Sequence, residues 1–113
     1  MDSIIAHLTA SIAVDTGYIR RALVRINAPN RDEWSIATDL LSGSHPILER
    51  AASVRAASRA KGLLVEGMEI DAVLSLLSQD ALRMVRRGRS QDLIEAGAYA
   101  ELVTDLTFRK ETS

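Results

Sequence analysis

Four isoleucines near the start of this chain recur at a fixed interval of seven residues: Ile5, Ile12, Ile19 and Ile26. In a slightly supercoiled α-helix with about 3.5 residues per turn, side chains seven residues apart stay on one line along the helix. A line of large apolar side chains is stable only where another surface covers it. The spacing therefore predicts a long N-terminal helix whose apolar seam packs against a neighbouring surface, either within the chain or in a second copy.

The bounds of this helix follow from its capping residues. Ser3 is a good N-cap, and the apolar pattern ends near Asn27. Two residues fit the pattern less well, because Asp15 falls on the seam and Gly17 costs about 1 kcal/mol relative to alanine inside a helix. In the alternative arrangement, Asp15 caps a second helix that begins at Thr16, and two short helices replace the long one.

Composition favours an all-α fold. The chain has 113 residues, which suits one domain, and 47% are hydrophobic but only 4% are aromatic, so the core is aliphatic. We expect a bundle of four to six helices over residues 1–108 and a polar tail over residues 109–113. Cysteine is absent, and the sequence shows no export signal or apolar run long enough to span a membrane, so a cytoplasmic location is expected.

Turn residues divide the rest of the chain. Residues 27–30 form a predicted turn, and the Asn30 and Glu33 capping box opens a helix over residues 31–41. Residues 42–46 break the chain before a third helix that starts at Pro46. Its repeated Ala-Ala-Ser segment leaves one side without bulk, so another backbone can approach closely. Gly62 and Gly67 bracket a predicted bend, with a short strand as the alternative.

The most regular helix pattern runs from Ile70 and ends at Gly88. Its apolar stripe consists of Ile70, Val73, Leu74, Leu77, Ala81, Met84 and Val85. A second interval-of-seven ladder, Leu63, Ile70, Leu77 and Met84, matches the pitch of the isoleucine ladder, and we expect the two to pack antiparallel. A last helix starts at Ser90 or Asp92, with a joint at Gly97, and frays from Arg109 onward.

No pattern in the sequence indicates catalysis or a cofactor. The two histidines, His7 and His45, have no second ligand at metal-binding spacing, and phosphate-binding glycine motifs are absent. The acidic residues Glu66, Glu69 and Asp71 precede or open a helix, where the helix dipole favours negative charge. We therefore expect a protein that is not an enzyme and has no cofactor and no metal site.

Charged residues occur in blocks whose sign alternates along the chain, so each block can face an opposite one on a neighbouring helix. In an alternative interpretation, two arginine groups form one basic face that binds nucleic acid. The groups are Arg83, Arg86, Arg87 and Arg89, and Arg20, Arg21, Arg25 and Arg31. The formal net charge of −1 argues against nucleic acid, as does the position of the arginines at a helix C-terminus, where cations are stabilising.

The predicted function is that of a small helical protein–protein interaction module, an adaptor, inhibitor or regulatory subunit, with a homodimer as the expected state. Twelve of the fourteen cations are arginine, which fits the codon usage of a GC-rich bacterial or phage genome. The expected interface consists of Ile5, Leu8, Ile12, Ile19, Leu23, Ile26, Arg20 and Arg25. The alternatives are a nucleic-acid-binding regulator that uses the arginine clusters and a self-assembling virion component.

Overall fold

The chain is all-α in a computed structural model that describes residues 2–26 and 46–112. Within these ranges the helices are α1 (Asp2–Ile26), α2 (Pro46–Val65), α3 (Ile70–Arg87) and α4 (Ser90–Thr112), and no strand occurs. The prediction of an all-α fold is thus confirmed. The turn expected at residues 27–30, the helix expected at 31–41, and His45 lie outside the described residues.

Helix α1 is a single helix of 25 residues and has no break at Asp15 or Gly17. The Asp15 carboxylate does not cap a second helix, because it accepts a hydrogen bond from Arg50 of α2 at 2.7 Å. Gly17 lies where an added Cβ would meet only the end of the Arg21 side chain. Neither residue interrupts the helix, so the single long helix is confirmed.

Helix α2 is the central helix of the fold. It contacts α1, α4 and, less extensively, α3. Its buried residues are mostly alanines, and their small side chains let neighbouring helices approach closely, as the repeated Ala-Ala-Ser segment predicts: Ala52, Ala56, Ala57 and Ala60. Because α1 packs chiefly against α2, and α3 chiefly against α4, the two interval-of-seven ladders do not form the pair that their matching pitch had predicted.

The two connections that the structure describes, α2 to α3 and α3 to α4, each depend on a glycine in the left-handed region. After α2, Gly67 has a φ of 101°, and the backbone N–H groups of Gly67 and Met68 donate to the carbonyls of Leu64 and Leu63, both at 3.0 Å. This is a Schellman motif, so the segment is a bend and not a strand. Gly88 ends α3 in the same region, with a φ of 70°, as predicted.

Helix α4 continues through Gly97 and past Arg109 to Thr112, so neither the joint nor the frayed tail is present. Gly97 is exposed, and an added Cβ would meet no atom within 4 Å, which shows that no close contact bends the helix there. The polar end of α4 is held by two ion pairs. Arg109 lies 3.1 Å from Asp105, and Lys110 pairs with Asp71 at the start of α3.

The core lies where α1, α3 and α4 surround α2. Its largest fully buried side chains are Leu8 of α1, Val73 and Leu77 of α3, and Leu106 of α4. The ion pair of Asp71 with Lys110 and the contact of Arg87 with Asp92 join α3 and α4 at opposite ends, so these two helices form an antiparallel hairpin. Among the described helices, none is both long enough and apolar enough to cross a bilayer.

Candidate interaction surface on the α3–α4 hairpin

The N-terminal seam is used largely inside the chain. Leu8 is fully buried, and Ile5 and Ile12 pack against the core. Ile19 is half-buried, while Arg20 is exposed. Leu8 therefore cannot reach a second protein in this fold, and Ile5 and Ile12 already have neighbours. The side chains of three further predicted interface residues lie outside the described part of the structure: Leu23, Arg25 and Ile26.

A polar contact replaces apolar packing where Asp15 interrupts the seam. The Asp15 carboxylate lies 2.7 Å from the Arg50 guanidinium, and the same guanidinium lies 4.6 Å from the centre of the Tyr18 ring. The ring's negative face attracts the cation, so Tyr18 and Asp15 hold Arg50 together. This contact joins α1 to the first turns of α2.

Two further arginines of α2 reach the other two helices. Arg55 pairs with Glu95 of α4, and the Arg59 Nε lies 2.8 Å from Asp80 Oδ2 of α3. The expectation that basic and acidic blocks face each other across neighbouring helices is confirmed at these positions.

The predicted nucleic-acid residues are only partly available. Arg83 pairs with Asp80, and Arg89 Nε lies 2.7 Å from Asp92 Oδ2. The side-chain hydrogen bond from Arg89 holds the pKa of Asp92 below its usual range, and the same bond raises the pKa of Arg89. Aspartates thus offset much of this positive charge.

The other two arginines of this predicted cluster differ in their contacts. Arg87 lies 3.7 Å from Asp92, which is a long contact for an ion pair. Arg86 is exposed and has no ion-pair partner among the described residues. Within the part of the chain that the structure describes, the cluster is therefore a network of intramolecular pairs in which only Arg86 has no ion-pair partner. The wider basic face stays a prediction, because Arg31 and the Arg25 side chain lie outside the described residues.

An apolar groove lies on the outer face of the α3–α4 hairpin and has a volume of about 620 Å³. Leu82 and Val85 of α3 and Leu93 of α4 line it, and they are 57%, 51% and 51% exposed. Small residues of α4 also line it: Ala96, Gly97 and Ala100. Large exposed side chains beside a hollow of small ones are typical of a protein contact surface.

The groove was not predicted from the sequence. The helical template placed Val85 in the buried stripe of α3 and did not assign Leu82, although both are more than half exposed. The buried side of α3 is marked instead by Val73 and Leu77. The sequence signal for the groove is that α3 carries apolar residues on two faces. The chain itself packs against only one of these faces.

Two other residues singled out by the sequence, His7 and Asp71, have side-chain partners. His7 Nε2 lies 2.8 Å from Asp105 Oδ2 of α4, a contact between residues far apart in sequence that the chain pattern did not suggest. Asp71 opens α3 and pairs with Lys110. Among the described residues, no group of three or more histidines and carboxylates is arranged to hold a metal ion.

No family model, curated protein or solved structure matches the chain at a significant level. Function is therefore inferred from the chemistry of the described surface.

Proposed function

We propose that this chain is a protein–protein interaction module, of the adaptor, inhibitor or regulatory-subunit kind, that forms a homodimer through the α3–α4 groove. The observation that carries the proposal is the exposed apolar groove itself, in which Leu82, Val85 and Leu93 project beside a hollow of small residues. Apolar area of this kind is stabilised when a second surface removes it from water.

The groove is complementary in shape to a second copy of itself. In a two-fold dimer the same patch serves both sides, so a projecting residue of one copy must meet a hollow of the other. The patch offers both, because Leu82 and Leu93 project while Gly97 and Ala100 let a neighbouring backbone come close. Two α3–α4 hairpins packed in this way would form a four-helix arrangement.

Charge also favours a second copy, in antiparallel orientation. Asp71, Ser78, Leu82 and Arg86 are spaced so that they share the outer face of α3. Asp71 and Arg86 lie at opposite ends of this face, about 22 Å apart at 1.5 Å per residue. An antiparallel partner would bring its Asp71 beside Arg86, the arginine that has no ion-pair partner among the described residues. Asp71 also pairs with Lys110 of its own chain, but its side chain is 72% exposed and can still accept a second cation.

The test measures native mass over a wide range of concentrations by sedimentation velocity or light scattering. We expect the wild type to reach twice 12.3 kDa and Val85→Glu to remain a monomer, because the new carboxylate would lie in the apolar contact. Val14→Glu is the matched control, since Val14 is 62% exposed on α1 and lies outside the groove. It should dimerise like the wild type.

Two results would overturn the homodimer. One is a wild type that stays at 12.3 kDa at the highest concentration. In that case the groove would bind another protein. If Val85→Glu also destabilises the monomer, the groove would instead be covered by other residues of the same chain. The other is equal dissociation by Val85→Glu and Val14→Glu, which would show a nonspecific effect of added charge.

A charge exchange tests the antiparallel orientation. Arg86→Glu should weaken the dimer by placing two carboxylates together, and adding Asp71→Arg should restore it, because the pair is then reversed. Asp71→Arg alone is measured beside the double variant, because it also removes the pair with Lys110. Arg20→Glu makes the same change of charge on the exposed surface of α1 and should have no effect. A double variant that associates no better than Arg86→Glu would refute this orientation.

A further inference from the structure

Tyr99 is a buried residue whose hydroxyl has no hydrogen-bond partner among the residues that the structure describes. Tyr99 is only 6% exposed, and its hydroxyl makes no hydrogen bond to any residue that the structure describes. Buried hydroxyl groups are normally satisfied, since leaving one unpaired loses the hydrogen bonds that water would give it. The unpaired group therefore points to a ligand or to another function at this place.

Tyr99 lines a cavity of about 320 Å³ between three helices. Arg59 of α2 contributes to its wall, and α3 contributes Asp80, Arg83 and Arg87, with Met84 beside them. Three guanidinium groups and one carboxylate give the lining a formal charge of +2. A cavity with this excess of positive charge and a phenol is suited to an anion.

The arginines keep hydrogen-bond donors that their aspartate partner does not use. A guanidinium has about five N–H donors, and Arg59 directs its Nε toward Asp80 at 2.8 Å. Asp80 is buried and also pairs with Arg83, so it fixes the positions of both side chains while most of their N–H groups remain available. Burial raises the pKa of the Tyr99 phenol, which therefore keeps its proton near neutral pH.

We propose that this cavity binds a phosphate group, either free or as a small phosphomonoester. A tetrahedral dianion matches the charge of the lining better than a carboxylate does, and its several oxygens can accept hydrogen bonds from Arg59, Arg87 and Tyr99 at once. A small ligand is favoured over a nucleic acid, because Glu95 and Asp92 lie near these helices and would repel a long polyanion.

Titration calorimetry with inorganic phosphate, compared with sodium chloride of equal ionic strength, tests the proposal. The wild type should bind phosphate and give no signal with chloride. Tyr99→Phe should weaken binding about tenfold, the effect of losing one hydrogen bond to a charged group. Tyr18→Phe is the matched control, since Tyr18 is the other tyrosine and lies on α1. Its affinity should equal that of the wild type.

Thermal unfolding without phosphate separates a binding effect from a folding effect. Tyr99→Phe should melt at least as high as the wild type, because the hydroxyl has no partner among the described residues. Arg87→Gln gives a second readout and should also weaken phosphate binding about tenfold, since Arg87 has only a long contact with Asp92.

Glycerol phosphate distinguishes the two forms of the ligand. Tighter binding than that of inorganic phosphate would assign the site to an ester, and equal binding would assign it to the phosphate group alone. The proposal is overturned if neither probe binds more than chloride does, or if Tyr99→Phe and Arg87→Gln bind phosphate as well as the wild type.

Discussion

Helices α1 and α3 both carry apolar residues at helical spacing, yet they use them differently. On α1, Leu8 is fully buried, and Ile12 packs against the core. On α3, Leu77 is fully buried on one face, whereas Leu82 and Val85 are exposed on another. A row of apolar residues on a helix therefore predicts that another surface packs against it, but does not identify that surface. When a helix carries two such rows and its own chain packs against only one, the other row stays exposed to solvent.

The largest expected effect separates a core leucine from a groove leucine. Leu8→Ala should lower the free energy of unfolding by about 3 kcal/mol, because it leaves a cavity in a fully buried site. Leu82→Ala should lower that of the dilute monomer by less than about 1 kcal/mol, because the side chain is 57% exposed. Urea unfolding at low protein concentration measures both. Equal losses would show that the groove belongs to the chain's own core.

A smaller effect compares two glycines inside helices. Gly62 of α2 and Gly97 of α4 are both exposed, and an added Cβ would meet no atom within 4 Å at either position. Alanine at each should therefore stabilise the monomer by about 1 kcal/mol, since glycine is the poorer helix former. Urea unfolding of the dilute protein checks both values.

The same two variants should differ in association. Gly97 lines the groove, so a methyl group there would keep a partner's backbone away and weaken the dimer, while Gly62→Ala should leave the native mass unchanged. A Gly97→Ala protein that dimerises as tightly as the wild type would mean that the partner does not approach α4 closely.

The smallest effect concerns the ion pair at the joint of the hairpin. Arg89 lowers the pKa of Asp92 in the folded chain, so the stability that this pair contributes is present above the unfolded pKa of Asp92. It is lost as pH falls through the lower folded value. Arg89→Gln should therefore reduce stability near pH 7, and this loss should shrink as pH falls through the folded pKa of Asp92. A loss that does not change with pH would show that Arg89 acts through packing and not through charge.

The features that the sequence predicted correctly are local ones. The span of α1 follows from the spacing of apolar side chains, as does the buried stripe of α3 except for the exposed Val85. The end of α3 follows from Gly88, which adopts the left-handed conformation that glycine favours. These signals are contained within a few turns of helix. The closely packed face of α2 was also predictable, because its alanines have no bulk.

The features that the sequence did not predict depend on contacts between distant segments. Periodicity shows that α1 needs a partner, but it does not identify α2 as that partner. The order at the end of α4 depends on Lys110 pairing with Asp71, which no local pattern indicates. The groove was missed because Leu82 and Val85 resemble core residues until the position of the covering helices is known.

The three arginines of α2 each reach a different neighbour: Arg50 contacts α1, Arg55 contacts α4 and Arg59 contacts α3. Alanine side chains are too small to interlock with a neighbouring helix, so an alanine face packs almost equally well in several axial registers. A slip of one turn, about 5.4 Å, would take every guanidinium away from its carboxylate at the same time. These pairs thus discriminate among registers that alanine packing alone would accept, and they make a single alignment of the central helix the preferred one.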